Sequence, residues 1–383
     1  MSAKNDNLKK LSLSLLCWAA LLVITFKARF YELYLPNENL TFGDFKYVLS
    51  CGNFEVNDLN CNEYMYGRWL LVFLSKVTFL HPYPEQTTFV IIAVSLLAIA
   101  HLLMSLKNKI QRCLAILLLL SPSVALLIQR GNLDIVVFFM CWYAIKFFFG
   151  GQPQLGLLVA VLASAIKIYP VALFAILVIL FLIQKKSITF RILWLCIAGM
   201  IIWSSLIDIG NIPWLPSDAR NSFGLRVLGE YITYAFSGSG KQMSPLLGSL
   251  LGGAFLGVVI IFMRNISKTL TPKLKLTNQE TYAWGAFFVC IYISGISVDY
   301  RLIFLLPIIA FVEDLKASEN VVFSVLVIST FYFSFPFEIL QVAGDLALSV
   351  IVSILLLMIF NQRPRKGVGF QRNKTRFKVL DWT

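Results

Sequence analysis

Apolar residues in this chain run in long blocks separated by short polar segments. The first block, Leu11 to Phe26, follows Lys4, Lys9 and Lys10 and resembles the front of a signal sequence. No small-residue cleavage site follows it, so the pattern predicts an uncleaved anchor with a cytoplasmic N-terminus. Further blocks of roughly membrane-spanning length cover 87–106, 113–128, 133–149, 191–207, 244–263, 281–297, 320–336 and 339–360. The expected fold class is all-α, a polytopic integral membrane protein.

Three stretches break the pattern. Residues 69–80 are apolar but too short to cross. Counting them as a span would place Lys107, Lys109 and Arg112 outside, against the positive-inside rule, so they read as an interfacial helix. The stretch 155–184 is too long for one span and is interrupted by Lys167-Ile-Tyr-Pro170, where proline removes a helix hydrogen bond. Gln152-Pro-Gln154 before it and Lys185-Lys186 after it both belong in the cytoplasm. Two short helices must therefore meet at an apex sunk below the outer surface. Residues 302–312 are also short, which sinks the Asp299-Tyr-Arg301 apex in the same way. The expectation is about 12 crossings with both termini cytoplasmic.

Composition agrees with lipid as the solvent: of 383 residues, 58% are hydrophobic and 14% charged. A soluble enzyme, a disordered tail protein and a secreted disulfide scaffold are excluded. The net charge of +13 has no basic soluble domain to hold nucleic acid, so it reads as loops and a tail facing anionic lipid. On the expected topology 21 of the 33 lysines and arginines face the cytoplasm and 11 face outward. The bias has the right sign, yet 11 outer cations call for a reason. Residues 1–362 form one expected transmembrane domain, with outer loops 28–86 and 208–243, and 363–383 a basic cytoplasmic tail. Long outer segments against short basic inner ones put the chemistry outside.

Asp44 lies in Thr41-Phe-Gly-Asp-Phe-Lys-Tyr47, shortly after the first span, either as a solvated loop acid or as a base for an acceptor hydroxyl. Arg130-Gly-Asn-Leu-Asp134 gathers a guanidinium, the Asn132 amide and a carboxylate at a helix start. That suits a phosphate or, equally, an N-cap at Asn132 with an Arg130–Asp134 ion pair. Lys167 carries an ammonium into the bilayer beside Tyr169 and Pro170, at a cost of about 3 kcal/mol on insertion scales unless it is paired, functional or snorkelling. Asp299, Tyr300 and Arg301 repeat the pattern, where a local salt bridge is the simpler reading. Three turns on one side thus each bring a cation to the outer leaflet. That arrangement could hold the phosphate of a lipid-linked sugar, whose charge grows as the sugar leaves.

The motifs Phe42-Gly-Asp-Phe45, Arg130-Gly-Asn-x-Asp134, Ala165-Ile-Lys-Ile-Tyr-Pro170 and Asp299-Tyr-Arg-Leu-Ile-Phe-Leu-Leu-Pro307, in this order, resemble the bacterial polyprenyl-phosphate-mannose-dependent mannosyltransferases of the GT-C fold and their uncharacterised relatives. The likeness runs from about residue 10 to residue 360. It implies an inverting glycosyltransferase of the bacterial inner membrane that moves a hexose, mannose above all, from a polyprenyl phosphate to a glycolipid or glycan acceptor on the outer face. Asp44 would be the catalytic base. Arg130, Lys167 and Arg301 would hold the leaving phosphate, with Asn132, Asp134, Tyr169, Asp299 and Tyr300 supporting them. This chain has Tyr64-Met-Tyr-Gly-Arg-Trp69 where many relatives carry a proline-containing stretch, a departure on the acceptor side.

Cys51 and Cys61 share the outer loop and form either a disulfide or two free thiols; Cys17, Cys113, Cys141, Cys196 and Cys290 fall in or at spans. No zinc spacing exists, and His81 and His101 stand without partners, so no cofactor and no His/Cys metal site are expected; a divalent ion bridging Asp44 or Asp134 to phosphate has no support in the sequence. The loop 208–243 adds Trp214, Arg220, Arg226, Glu230, Tyr231, Tyr234 and Ser237-Gly-Ser-Gly-Lys241, which suit a sugar-stacking lid or a plain interfacial loop. The competing class is a secondary transporter or a flippase of lipid-linked sugars, which also uses buried charges and broken helices. A polysaccharide polymerase is the runner-up among enzymes.

Overall fold

The computed structural model describes residues 2–33, 41–51, 70, 73–74, 76–106, 109–183, 189, 192–201, 222–224, 226–229, 245–270, 279–293, 297–311, 317–333 and 338–361. Among these the protein is helical, apart from one antiparallel pair of two-residue strands, β1 (Ser222–Phe223) and β2 (Ser297–Val298). The helices are α1 (Ser2–Leu22), α2 (Gly43–Cys51), α3 (Pro84–Ser105), α4 (Lys109–Leu119), α5 (Pro122–Gln129), α6 (Asp134–Phe149), α7 (Pro153–Ile166), α8 (Val171–Ile183), α9 (Ile192–Ile201), α10 (Pro245–Leu270), α11 (Gln279–Ile293), α12 (Leu306–Phe311), α13 (Ala317–Phe333) and α14 (Glu338–Asn361).

Among the described residues two helices, over Pro84–Met104 and Val342–Ile359, are long and apolar enough to cross a membrane. The pair α4 and α5 makes a third if its bent halves form one span. Leu11–Lys27, α7, α8, α9 and Leu247–Phe262 are shorter apolar helices. These features are compatible with a membrane protein.

The expected straight span 113–128 is instead broken, its halves bent by 49°. The cause is Ser121-Pro122. Proline has no N–H to continue the α4 ladder but fits the first turn of a new helix, where Ser121 Oγ accepts from the Val124 N–H at 3.5 Å. The expected break at Lys167–Pro170 is present: α7 ends at Ile166, Lys167 is extended, and α8 starts at Val171. The expected short helix 302–312 starts as a 3-10 helix, which runs from Asp299 through the expected apex to Leu305, and continues as α12 to Phe311; residue 312 lies outside the described residues. Of the proposed interfacial helix 69–80, residues 70, 73, 74 and 76 are helical and Thr78–Leu80 form a 3-10 turn.

Helices α6 and α7 pack most closely, at a point where only glycine fits. A Cβ on Gly156 would stand 2.5 Å from the Ala144 carbonyl oxygen and 2.7 Å from the Phe148 nitrogen. Around that pair α8, α11 and the 3-10 segment bury a continuous core that includes Phe138, Trp284, Phe287 and Phe304. On the opposite faces Val94, Leu158, Leu162, Ile179 and Val258 are exposed, as residues facing lipid would be.

Candidate functional site

Helix α5 ends in a motif that sets the position of everything near it. The Gly131 N–H donates to the Ile128 carbonyl and the Asn132 N–H to the Leu127 carbonyl, the paired bonds of a Schellman turn. Gly131 takes the left-handed conformation this requires, at φ +59°. Its missing side chain matters as well: a Cβ there would lie 2.6 Å from Thr88 Cγ2 on α3.

Two carbonyls at the end of α5 receive the first loop. Phe42 N–H donates to Gln129 O at 2.6 Å and Asp44 N–H to Arg130 O at 3.0 Å. To make both bonds Phe42 adopts φ +57°, a strained backbone for a phenylalanine. Asp44 then falls in the first turn of α2, which sets aside the solvated loop acid among its two readings. It is 3% exposed, with the apolar residues Phe45, Val48 and Leu49 of the same helix buried beneath.

The side chains complete the dock. Arg130 donates from Nε to Asp44 Oδ1 at 2.8 Å, and its Nη2 lies 2.7 Å from the same oxygen. Asn132 Nδ2 donates to Asp44 Oδ2. Asn132 Oδ1 meanwhile accepts from the Asp134 N–H at 2.9 Å, so the residue caps the start of α6 with one end of its amide and holds Asp44 with the other. The Arg130–Asp134 pair considered above does not form; Arg130 turns to Asp44 instead.

Asp134, fully buried, belongs to the other two cations. Arg301 Nε donates to Oδ2 at 3.2 Å, and Lys167 Nζ stands 3.6 Å from Oδ1. Lys167 gets there because the chain is extended at that residue as it leaves α7, and Tyr169 follows in the turn before α8. The Tyr169 ring lies under the Arg301 guanidinium at 4.8 Å. Phe287 stacks on Tyr169, and Phe304 meets both rings edge-on. An aromatic floor thus separates the ionic network from the apolar core.

Asp44, Arg130, Asn132, Asp134, Lys167, Tyr169 and Arg301, from four separated segments, therefore form one connected site. Asp299 and Tyr300 share the 3-10 helix of Arg301, while their side chains and the Cys51–Cys61 pairing lie outside the described residues, as does most of loop 208–243. Thr88, Gln129 and Phe304 shape the site and were not anticipated. Thr88 and Gln129 act through a methyl contact and a backbone carbonyl, which leave no sequence signature; Phe304 stands in the quoted Asp299–Pro307 motif but reads there as core. Arg226 is buried three residues beyond the end of β1, the strand that pairs with Ser297–Val298.

Chemically the network offers one carboxylate, Asp44, oriented by two donors, and a pair of cations fixed by a second carboxylate. Fixed dipoles and charges of this kind act on developing charge without having to reorganise. No protein-family model, curated protein or solved structure matches this chain.

Proposed function

We propose that the protein is a membrane-embedded inverting glycosyltransferase with a GT-C-like architecture and about 12 crossings. It moves a hexose, mannose first, from a polyprenyl phosphate to an envelope glycolipid or glycan acceptor on the outer face of a bacterial inner membrane. One observation carries the reading: the Asp44, Arg130, Lys167 and Arg301 segments, far apart in sequence, meet in a single buried network. Scattered surface ion pairs would contribute little and would not be gathered this way.

In the proposed reaction Asp44 takes the proton of the acceptor hydroxyl as that oxygen attacks the anomeric carbon. The bond from that carbon to the phosphate oxygen breaks, and polyprenyl phosphate departs carrying one more negative charge than it had in the donor. Arg130, Lys167 and Arg301 hold that growing charge, which makes them worth more in the transition state than in the ground state. Asn132 and Asp134 keep base and cations in register, and Tyr169 supports Arg301 from below. No cofactor takes part in this scheme.

Reconstituting the purified protein in vesicles with synthetic polyprenyl-phosphate mannose and an envelope extract tests it. Formation of a new glycosidic bond, with inverted anomeric configuration, is the expected result. Movement of the donor across the bilayer without bond formation would mark a flippase instead, and growth of a long polymer would mark a polymerase.

A further inference from the structure

The three cations of the site are not equivalent. Lys167 and Arg301 have side chains 2% and 6% exposed and share Asp134, which is 0% exposed. Pulling either away would leave a buried carboxylate short of countercharge, which is costly. Arg130 differs: its side chain is 30% exposed, and it sits on Asp44. It is the cation an incoming anion meets first, and the phosphate it meets must replace Arg130's pairing with Asp44, itself only 3% exposed.

That partnership also occupies the base. Nε and Nη2 of Arg130 both address Oδ1, and Asn132 addresses Oδ2, so each oxygen of Asp44 already faces a donor. A carboxylate held this way is well oriented but poorly placed to accept a substrate proton. Asn132 is tied to the start of α6 and cannot leave; Arg130 can swing.

We infer that Arg130 is an exchange residue: it grips Asp44 while the site is empty and transfers to the phosphate of the lipid donor when that arrives, uncovering Oδ1 as the proton acceptor. The inference rests on the glycosyltransferase reading and adds regulation to it. The base becomes competent only after the donor has bound, which makes binding ordered. The recognised chemistry is a phosphate on a lipid chain.

If Asp44 and the phosphate compete for one guanidinium, then removing the Asp44 charge must strengthen phosphate binding through Arg130. The experiment measures equilibrium binding of a labelled short-chain polyprenyl phosphate, which carries no sugar and cannot react, to wild type, Asp44→Asn, Arg130→Gln and the double variant in detergent micelles. Asp44→Asn is expected to bind about 3- to 10-fold tighter. Arg130→Gln should bind weaker, and the double variant no better than Arg130→Gln alone. Unchanged or weaker binding by Asp44→Asn overturns the exchange. So does tightening that persists in the Arg130→Gln background, because it would come from net charge alone. Asp44→Ser removes the same charge and serves should Asp44→Asn fail to fold. Loss of the enzyme reading would show separately, as absence of sugar transfer by the wild-type protein, whatever the binding cycle gives.

Discussion

Asp44 and Arg130 are joined twice, once through the backbone and once through the side chains. The Asp44 N–H donates to the Arg130 carbonyl at 3.0 Å, and the Arg130 guanidinium returns two contacts to Asp44 Oδ1 at 2.8 and 2.7 Å. The backbone bond fixes where α2 begins relative to the end of α5, and the ion pair then fixes the carboxylate. Position and orientation of the proposed base therefore share one origin, the Schellman turn at Gly131.

Asp134 is the countercharge for two buried cations, so Asp134→Asn should cost about 3–5 kcal/mol of stability. Adding Lys167→Met to that variant should recover about 1 kcal/mol or more, because one stranded charge is then removed. Thermal unfolding in detergent for the two single variants and the double measures the coupling. Additive losses would mean that Lys167 does not depend on Asp134.

At Gly131 the backbone conformation and the space are both restrictive. Gly131→Ala should destabilise by about 2–4 kcal/mol through left-handed strain and overpacking. Thr88→Ser keeps the hydroxyl bond to Pro84 O and deletes the methyl 2.6 Å from the new Cβ. The pair Gly131→Ala with Thr88→Ser should regain about 1 kcal/mol of that loss in the same unfolding measurement. No recovery would locate the whole penalty in the backbone.

Asp345 on α14 is a carboxyl group of a different kind. It is buried, its Oδ2 has no hydrogen-bond partner among the described residues, and the nearby Tyr292 hydroxyl is bonded to Ser349. An orphaned buried polar oxygen is a cost, so Asp345→Asn should leave stability unchanged or raise it by about 1–2 kcal/mol. A clear loss on unfolding would show that the carboxylate serves a partner.

Lys167 could be found in the sequence because an ammonium inside a long apolar run, next to a proline, has few bland explanations. The break into α7 and α8 followed from the same residues. Pro122 was equally visible, yet the apolar run around it hid the 49° bend, since hydropathy does not register a lost hydrogen bond. The grouping of Asp44 with Arg130 and of Asp134 with Lys167 and Arg301 was legible only as a set of residue types near one surface. Which cation meets which carboxylate depends on backbone bonds at Gln129 and Arg130 and on one strained φ at Phe42, and neither is encoded in a local pattern. The role of Asn132, capping α6 while holding Asp44, joins two elements remote in sequence and needed coordinates to see.

The most direct test of the account is the rate of mannose transfer from synthetic polyprenyl-phosphate mannose by purified, folded Asp44→Asn. Removing a general base typically costs about 10²- to 10⁴-fold in rate, and a fall in that range, with the network's other residues intact, is the predicted result. Turnover equal to wild type would contradict it, leaving Asp44 as a structural anchor and the network without its proposed chemistry.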